Sequence, residues 1–161
     1  MKILIFIILC LFELNAVSLD EVVGEWQATT KSVNQGTNTV EKEYLHFNAD
    51  RTFSIVLLVS IEKDNSFVKD LRIEASGIWK VWEETLVAVV HKVNVPIAGE
   101  VYGITTSSLK QIAQTFKQKF ENEPIRISMV KDVTANSLTL SNEKRQKTVY
   151  TRSNVSLYAL K

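Results

Sequence analysis

One cysteine, two histidines and two prolines are all that this 161-residue chain has of the residue types that staple, ligate or break structure. The cysteine, Cys10, lies in an N-terminal apolar stretch that reads as removable. The remainder then has no thiol, which excludes disulfides, thiolate metal sites and cysteine nucleophiles. The two histidines, His46 and His91, lack nearby ligands at metal-binding spacing, so no metal site is expected. Charge of one sign is lacking too: the net charge is +1, and nothing in it announces nucleic acid. The lysines from Lys110 to Lys119 are followed at once by Glu121 and Glu123, as on a solvated helix face. No Gly-x-Ser-x-Gly elbow marks a serine nucleophile, and Glu83-Glu84 fall at a turn. No enzyme activity and no cofactor are expected.

The longest apolar run, Ile3 to Phe12, is far short of the roughly 20 residues of a spanning helix. With Lys2 before it and Ala16-Val17-Ser18 after it, residues 1–18 read as a secretory signal. Cleavage is expected after Ser18, with Ala16 the alternative. Residues 19–161 then form one domain, long enough to bury a core. A short exported chain without disulfides suits a bacterial periplasm or secretion, with no stable membrane insertion.

What is present is β structure. Leu19 to Val23 read as a short helical turn with acids at its start. Strands follow at about 25–31, 40–47, 52–62, 67–82 and 85–93, with 32–39 read as a loop. Phe53, Ile55, Leu57, Val59 and Ile61 alternate along the third strand, the period of one buried face. Leu45 and Phe47 share a face of the second, with His46 on the other. Gly77 is the natural bend of the long fourth strand. Pro96 and Gly99 end the fifth, and Val101 to Ile104 read as a short extra strand.

One helix is legible, at about 107–120. Thr106-Ser107-Ser108 offer N-caps, and Ser108 with Gln111 has capping-box spacing. Leu109, Ile112, Ala113, Phe116 and Phe120 form its apolar stripe, and Pro124 bars continuation. Strands at about 125–133, 137–141 and 147–152 close the chain as a meander. The fold expected is all-β: an antiparallel up-and-down barrel of about eight strands, with one amphipathic helix before the last three. Val56, Leu58, Val87 and Val89 are apolar on the outward parity, so the helix is expected over some of these or over an open end.

The short N-terminal turn, Gly24-x-Trp26 opening the first strand and Arg152 ending the last resemble the lipocalins and the wider calycin-type barrels of bacteria. Phe47-Asn48-Ala49-Asp50-Arg51-Thr52-Phe53 is similar to the Phe-x-x-Asp-Gly-Thr-Phe hairpin of bacterial lipocalin-like domains, with Arg51 in place of glycine. Gly77-Ile78-Trp79 resembles a second Gly-x-Trp of such domains. The helix departs from the family, whose helix follows the eighth strand. The resemblance implies a base plug of Gly24, Trp26 and Arg152, the guanidinium lying across the indole. It also implies a monomer that binds a small apolar or amphipathic molecule. Leu45, Phe47, Phe53, Ile55, Leu57 and Trp79 are the residues expected to line the cavity. The rival expectation is a filled barrel whose helix or outer face binds another envelope protein.

Overall fold

The structure, a computed structural model, describes residues 17–96 and 100–154. The expected signal lies outside the described residues except for Val17 and Ser18, and so does Gly99. The elements in chain order are α1 (Leu19–Val22), β1 (Gly24–Asn34), β2 (Thr37–Phe47), β3 (Thr52–Lys63), β4 (Ser66–Trp82) and β5 (Thr85–Asn94). There follow β6 (Glu100–Tyr102), α2 (Thr106–Asn122), β7 (Ile125–Val133), β8 (Ser137–Asn142) and β9 (Lys147–Arg152). All pairings are antiparallel, in the order β3-β2-β1-β9-β8-β7-β5-β4, and β3 also pairs with β4. That last pairing closes an eight-stranded barrel, to which β6 adds an extra strand along Phe67–Lys69 of β4. The expected all-β, up-and-down barrel with one helix before the last three strands is the observed fold.

Alternation decides which side chains enter the barrel. Trp26 and Ala28, Leu45 and Phe47, Phe53 and Ile55, Ile73 and Ala75, and Leu138 and Leu140 are buried at every second position. Three irregularities help the sheet to curve and close, one of them between Val130 and Asp132 of β7 against β8. The other two involve β4. One lies between Val59 and Ile61 against β4, the other between Ser76 and Gly77 against β5. A side chain at Gly77 would run into the Val89 carbonyl and the Phe53 ring, so the backbone bends there because nothing fills that space.

The strands are uneven in length, and this shapes the two ends. One end carries α1 and the turns after β2, β4 and β7. The other carries the β1–β2, β3–β4 and β8–β9 turns and the helix. Strands β1 to β4 run 11 to 17 residues, whereas β8 and β9 have six each, so one wall of the barrel stands taller.

Helix α2 packs at this second end rather than over the outer wall. Leu109 and Phe120 are buried, and Ile112, Ala113 and Phe116 pack on the same core as the inward residues. The outward Val87 and Val89 stay half-buried. Its N-cap is Thr105, one residue before the expected candidates: the hydroxyl accepts from the Ser108 N–H at 3.1 Å. Among the described residues, no helix is long and apolar enough to cross a membrane.

Candidate functional site

The base of the barrel is built by the two ends of the β region. β1 and β9 pair at Trp26↔Arg152 and Gln27↔Thr151. Trp26 is fully buried, and its indole N–H donates to the Val22 carbonyl of α1 at 2.9 Å. The Arg152 guanidinium carbon lies 3.9 Å from the centroid of that ring, within cation–π range. Its Nη1 donates to the Val23 carbonyl at 2.7 Å and its Nε to the Ala135 carbonyl at 3.1 Å. Gly24 has φ +135°, and any Cβ there would collide with the guanidinium. Glycine is required by both its conformation and the space.

At the same end, where Phe47 pairs with Gly24 and with Phe53, the two phenyl rings form an aromatic floor with centroids 6.5 Å apart. Trp79 lies against Phe47 at 4.9 Å, and its indole N–H donates to the Asn48 carbonyl at 3.1 Å. It supports the floor from behind.

A cavity of about 400 Å³ opens above the floor. Its apolar lining is Leu45, Phe47, Phe53, Ile55, Leu86, Ala88 and Leu140 within the barrel, with the outward Ile125 and Ile127 at its rim. Its mouth lies between the end of α2, at Lys119 and Glu123, and the β8–β9 turn around Asn142–Gln146. Four of the six residues expected to line a cavity are therefore brought together: Leu45, Phe47, Phe53 and Ile55. Trp79 stands behind Phe47, and Leu57 is half-buried against the core, outside the lining.

Three polar residues in the cavity wall escaped the sequence reading: Glu43, Tyr150 and Arg126. Glu43 precedes Leu45 and Phe47 at the same parity, Tyr150 precedes Arg152, and Arg126 precedes the buried Val130 at even spacing. That shared parity was the available signal. The Tyr150 hydroxyl donates to Glu43 Oε2 at 3.1 Å. Glu43 keeps partial contact with solvent through the mouth, yet protein surrounds it on the lumen wall. Burial pushes its pKa above the usual carboxylate value, against the opposing pull of the Tyr150 hydrogen bond and the Arg126 charge. Tyr150 is pushed well above its ordinary value, first by burial and then by the charge of Glu43. Arg126 stacks on Phe120 of α2, with its guanidinium carbon 4.2 Å from the ring centroid. Its Nε is buried and has no hydrogen-bond partner among the described residues.

A second depression of about 370 Å³ lies mainly on the outward parity, at His46, Ser54, Val56, Glu74, Ser76 and Lys92. His46 there is 3.8 Å from Glu25, and Arg72 bonds Glu74 at 2.6 Å, which holds the Glu74 carboxyl below its ordinary pKa. These charges already have partners, and most of the lining faces outward from the barrel. The lumen is the site that the inward-facing residues build. Among the described residues, no group of three or more His, Cys, Asp or Glu side chains is arranged to hold a metal ion.

No protein-family model matches this sequence, and no curated protein matches it.

Proposed function

We propose that this chain is a lipocalin-like barrel that binds one small apolar or amphipathic molecule, without covalent chemistry, in its lumen. The observation that carries the reading is the cavity of about 400 Å³ above the Phe47–Phe53 floor. Small-ligand pockets span about 300–1,000 Å³, are mostly apolar, and hold a few placed polar groups. The floor and inner wall of this cavity are apolar around Glu43, Tyr150 and Arg126, while its mouth is polar, at Lys119, Glu123 and Asn142–Lys144. The driving force is the removal of apolar ligand surface from water, about 25 cal/mol per Å² before the costs of ordering. The base of Gly24, Trp26 and Arg152 supports the family reading. The reading of residues 1–18 as a secretory signal supports a periplasmic or secreted setting, and a lumen lined by one chain supports a monomer.

The test is a titration of an environment-sensitive apolar dye, followed by its displacement with fatty acids. Saturation at one dye per chain with micromolar affinity, roughly −8 kcal/mol, is expected. Ala88→Trp, which places an indole in the lumen, is expected to abolish binding while circular dichroism stays unchanged. Saturable binding that survives Ala88→Trp would place the site elsewhere.

One observation favours a second reading, an interaction surface for another envelope protein. Ile78, Val89 and Ile125 are cross-strand neighbours on the outside of the barrel, and Val87 and Ile127 form the next row. Ile125 is 59% exposed and nearby Trp82 67%. Apolar residues gathered in this way mark contact sites more often than scattered ones do. Absence of binding across a broad lipid panel would shift the reading to this face.

A further inference from the structure

We propose, resting on the lumen-binding reading above, that the ligand carries an anionic head, a carboxylate, and that Arg126 receives it. The cavity's charges fall into two groups. At the mouth they come in opposite pairs close in sequence: Lys119 with Glu123 on α2, and Glu143 with Lys144 in the β8–β9 turn. These largely cancel in the field they present to a ligand. Deeper in the wall stand Glu43 and Arg126, which form no ion pair with each other or with any described residue, while Glu43 already accepts the Tyr150 hydroxyl.

Arg126 is the unmatched member. Guanidinium groups keep their charge under all ordinary conditions and present a planar fork suited to carboxylates. Stacking on Phe120 fixes the plane of this one without giving any N–H an acceptor. Its Nε is left buried and unbonded, a costly arrangement for a charged donor. Glu43 offsets it incompletely, because burial makes that carboxyl hold its proton more readily than an exposed glutamate. An anion entering past the mouth supplies both the missing charge and the missing acceptor. Its apolar part then has one direction to go, down past Leu45 and Ile55 to the Phe47–Phe53 floor. The cavity is at the small end of the range for ligand sites, which suits a single acyl chain better than a multi-ring molecule.

The experiment compares dodecanoate with dodecanol, the same chain with and without the charge, by dye displacement on the full chain at pH 7.5. Wild type is expected to bind dodecanoate at least about tenfold more tightly, the scale of a charged hydrogen bond. Arg126→Met is expected to erase that preference while dodecanol still binds. The double substitution Lys119→Met with Lys144→Met is expected to keep it. Arg126→Gln, polar and of similar reach, supplies the comparison if the methionine variant does not fold. Equal affinity of wild type for the two probes, or tighter binding of dodecanol, overturns the anionic head and leaves lumen binding intact. A preference that survives both Arg126 variants overturns the role of that residue. Binding of neither probe, nor of the dye, overturns the lumen reading and this proposal with it.

Discussion

Glu43 holds a carboxyl in a wall whose apolar part is Leu45, Phe47, Ile55 and Leu140, beside Tyr150 and Arg126, and its cost depends on pH. Its folded pKa is raised above the ordinary value of 4.5, chiefly by burial. The folded state therefore holds the proton more tightly than the unfolded chain does. The stability tied to this group is fully present below the unfolded pKa, and it is lost as pH rises through the folded one. Glu43→Gln keeps an oxygen for the Tyr150 hydroxyl and removes the ionisation. The variant is expected to match wild type near pH 4 and to gain on it as pH rises, levelling off above the folded pKa. Urea midpoints of both proteins at pH 4 and pH 8 measure this; an unchanged difference between the two would show that burial is not the dominant cause. At this scale the apolar half of the site was legible, because Leu45, Phe47, Phe53 and Ile55 repeat at period two. The polar half was not. Parity places Glu43 and Arg126 inside as firmly as their neighbours, but the ordinary rule that charges face water reads them outward.

The β2–β3 turn shows how an element tolerates a residue that does not suit it. Arg51 occupies the left-handed region at φ 68°, where glycine is the favoured residue. The turn survives because its neighbours fix it. The Asp50 carboxylate accepts the Thr52 N–H at 2.9 Å and its hydroxyl at 2.6 Å, which holds that carboxyl below its ordinary pKa. The Trp79 N–H also donates to the Arg51 carbonyl at 2.8 Å, tying the turn to β4. All of these bonds are independent of the Arg51 side chain. Arg51→Gly is therefore expected to stabilise the protein by about 1 kcal/mol, the strain of the left-handed conformation set against the entropy of glycine. Thermal or urea unfolding measures it, and a loss of stability would mean that the arginine side chain holds the turn. Elsewhere the strands β3, β4, β5, β7 and β9 were legible to within a residue, since each buries one face. Residues 32–39 read as a loop because Asn34, Gly36 and Asn38 are turn formers and Val33 is the one apolar residue among them. They are strand, continuing to Asn34 and resuming at Thr37 around Gln35-Gly36, both at positive φ. Both faces of β1 stand in water there, so no alternation marks it.

Closure of the barrel is a property of the whole molecule, and the seam that achieves it is short. β1 pairs with β2 over eleven positions but with β9 over two. The bond from the Ser153 N–H to the Glu25 carbonyl, at 2.8 Å, extends the join slightly, while that from the Arg152 N–H to the Asn136 carbonyl, at 2.9 Å, extends the β8–β9 pairing. Beyond backbone pairing, the Ser153 hydroxyl donates to Gln27 Oε1 at 3.5 Å, and the Arg152 side chain reaches from the Val23 carbonyl before β1 to the Ala135 carbonyl in the β7–β8 turn. Such a device could be suspected from Gly24, Trp26 and Arg152 in the sequence. The shortness of the seam could not, because it depends on how far β9 slides along β1. Arg152→Met keeps the apolar stem over Trp26 and removes the guanidinium, leaving the two carbonyls without this donor and ending the cation–π contact. Global stability is expected to fall by about 1.5–2 kcal/mol, the scale of one hydrogen bond from a charged group, because of the two bonds only that to the Val23 carbonyl is shielded from water. The local effect is expected to be larger than the global one: β9 is six residues long and tied on one side by this seam, so it opens before the rest. Native-state hydrogen exchange on Arg152→Met is expected to show the amides of residues 148–152 exchanging through a local opening. Those of β3 and β4 are expected to follow global unfolding. If the β9 amides remain as protected as those of β3 and β4, the seam is held without the guanidinium and Arg152 does no more than cover the indole.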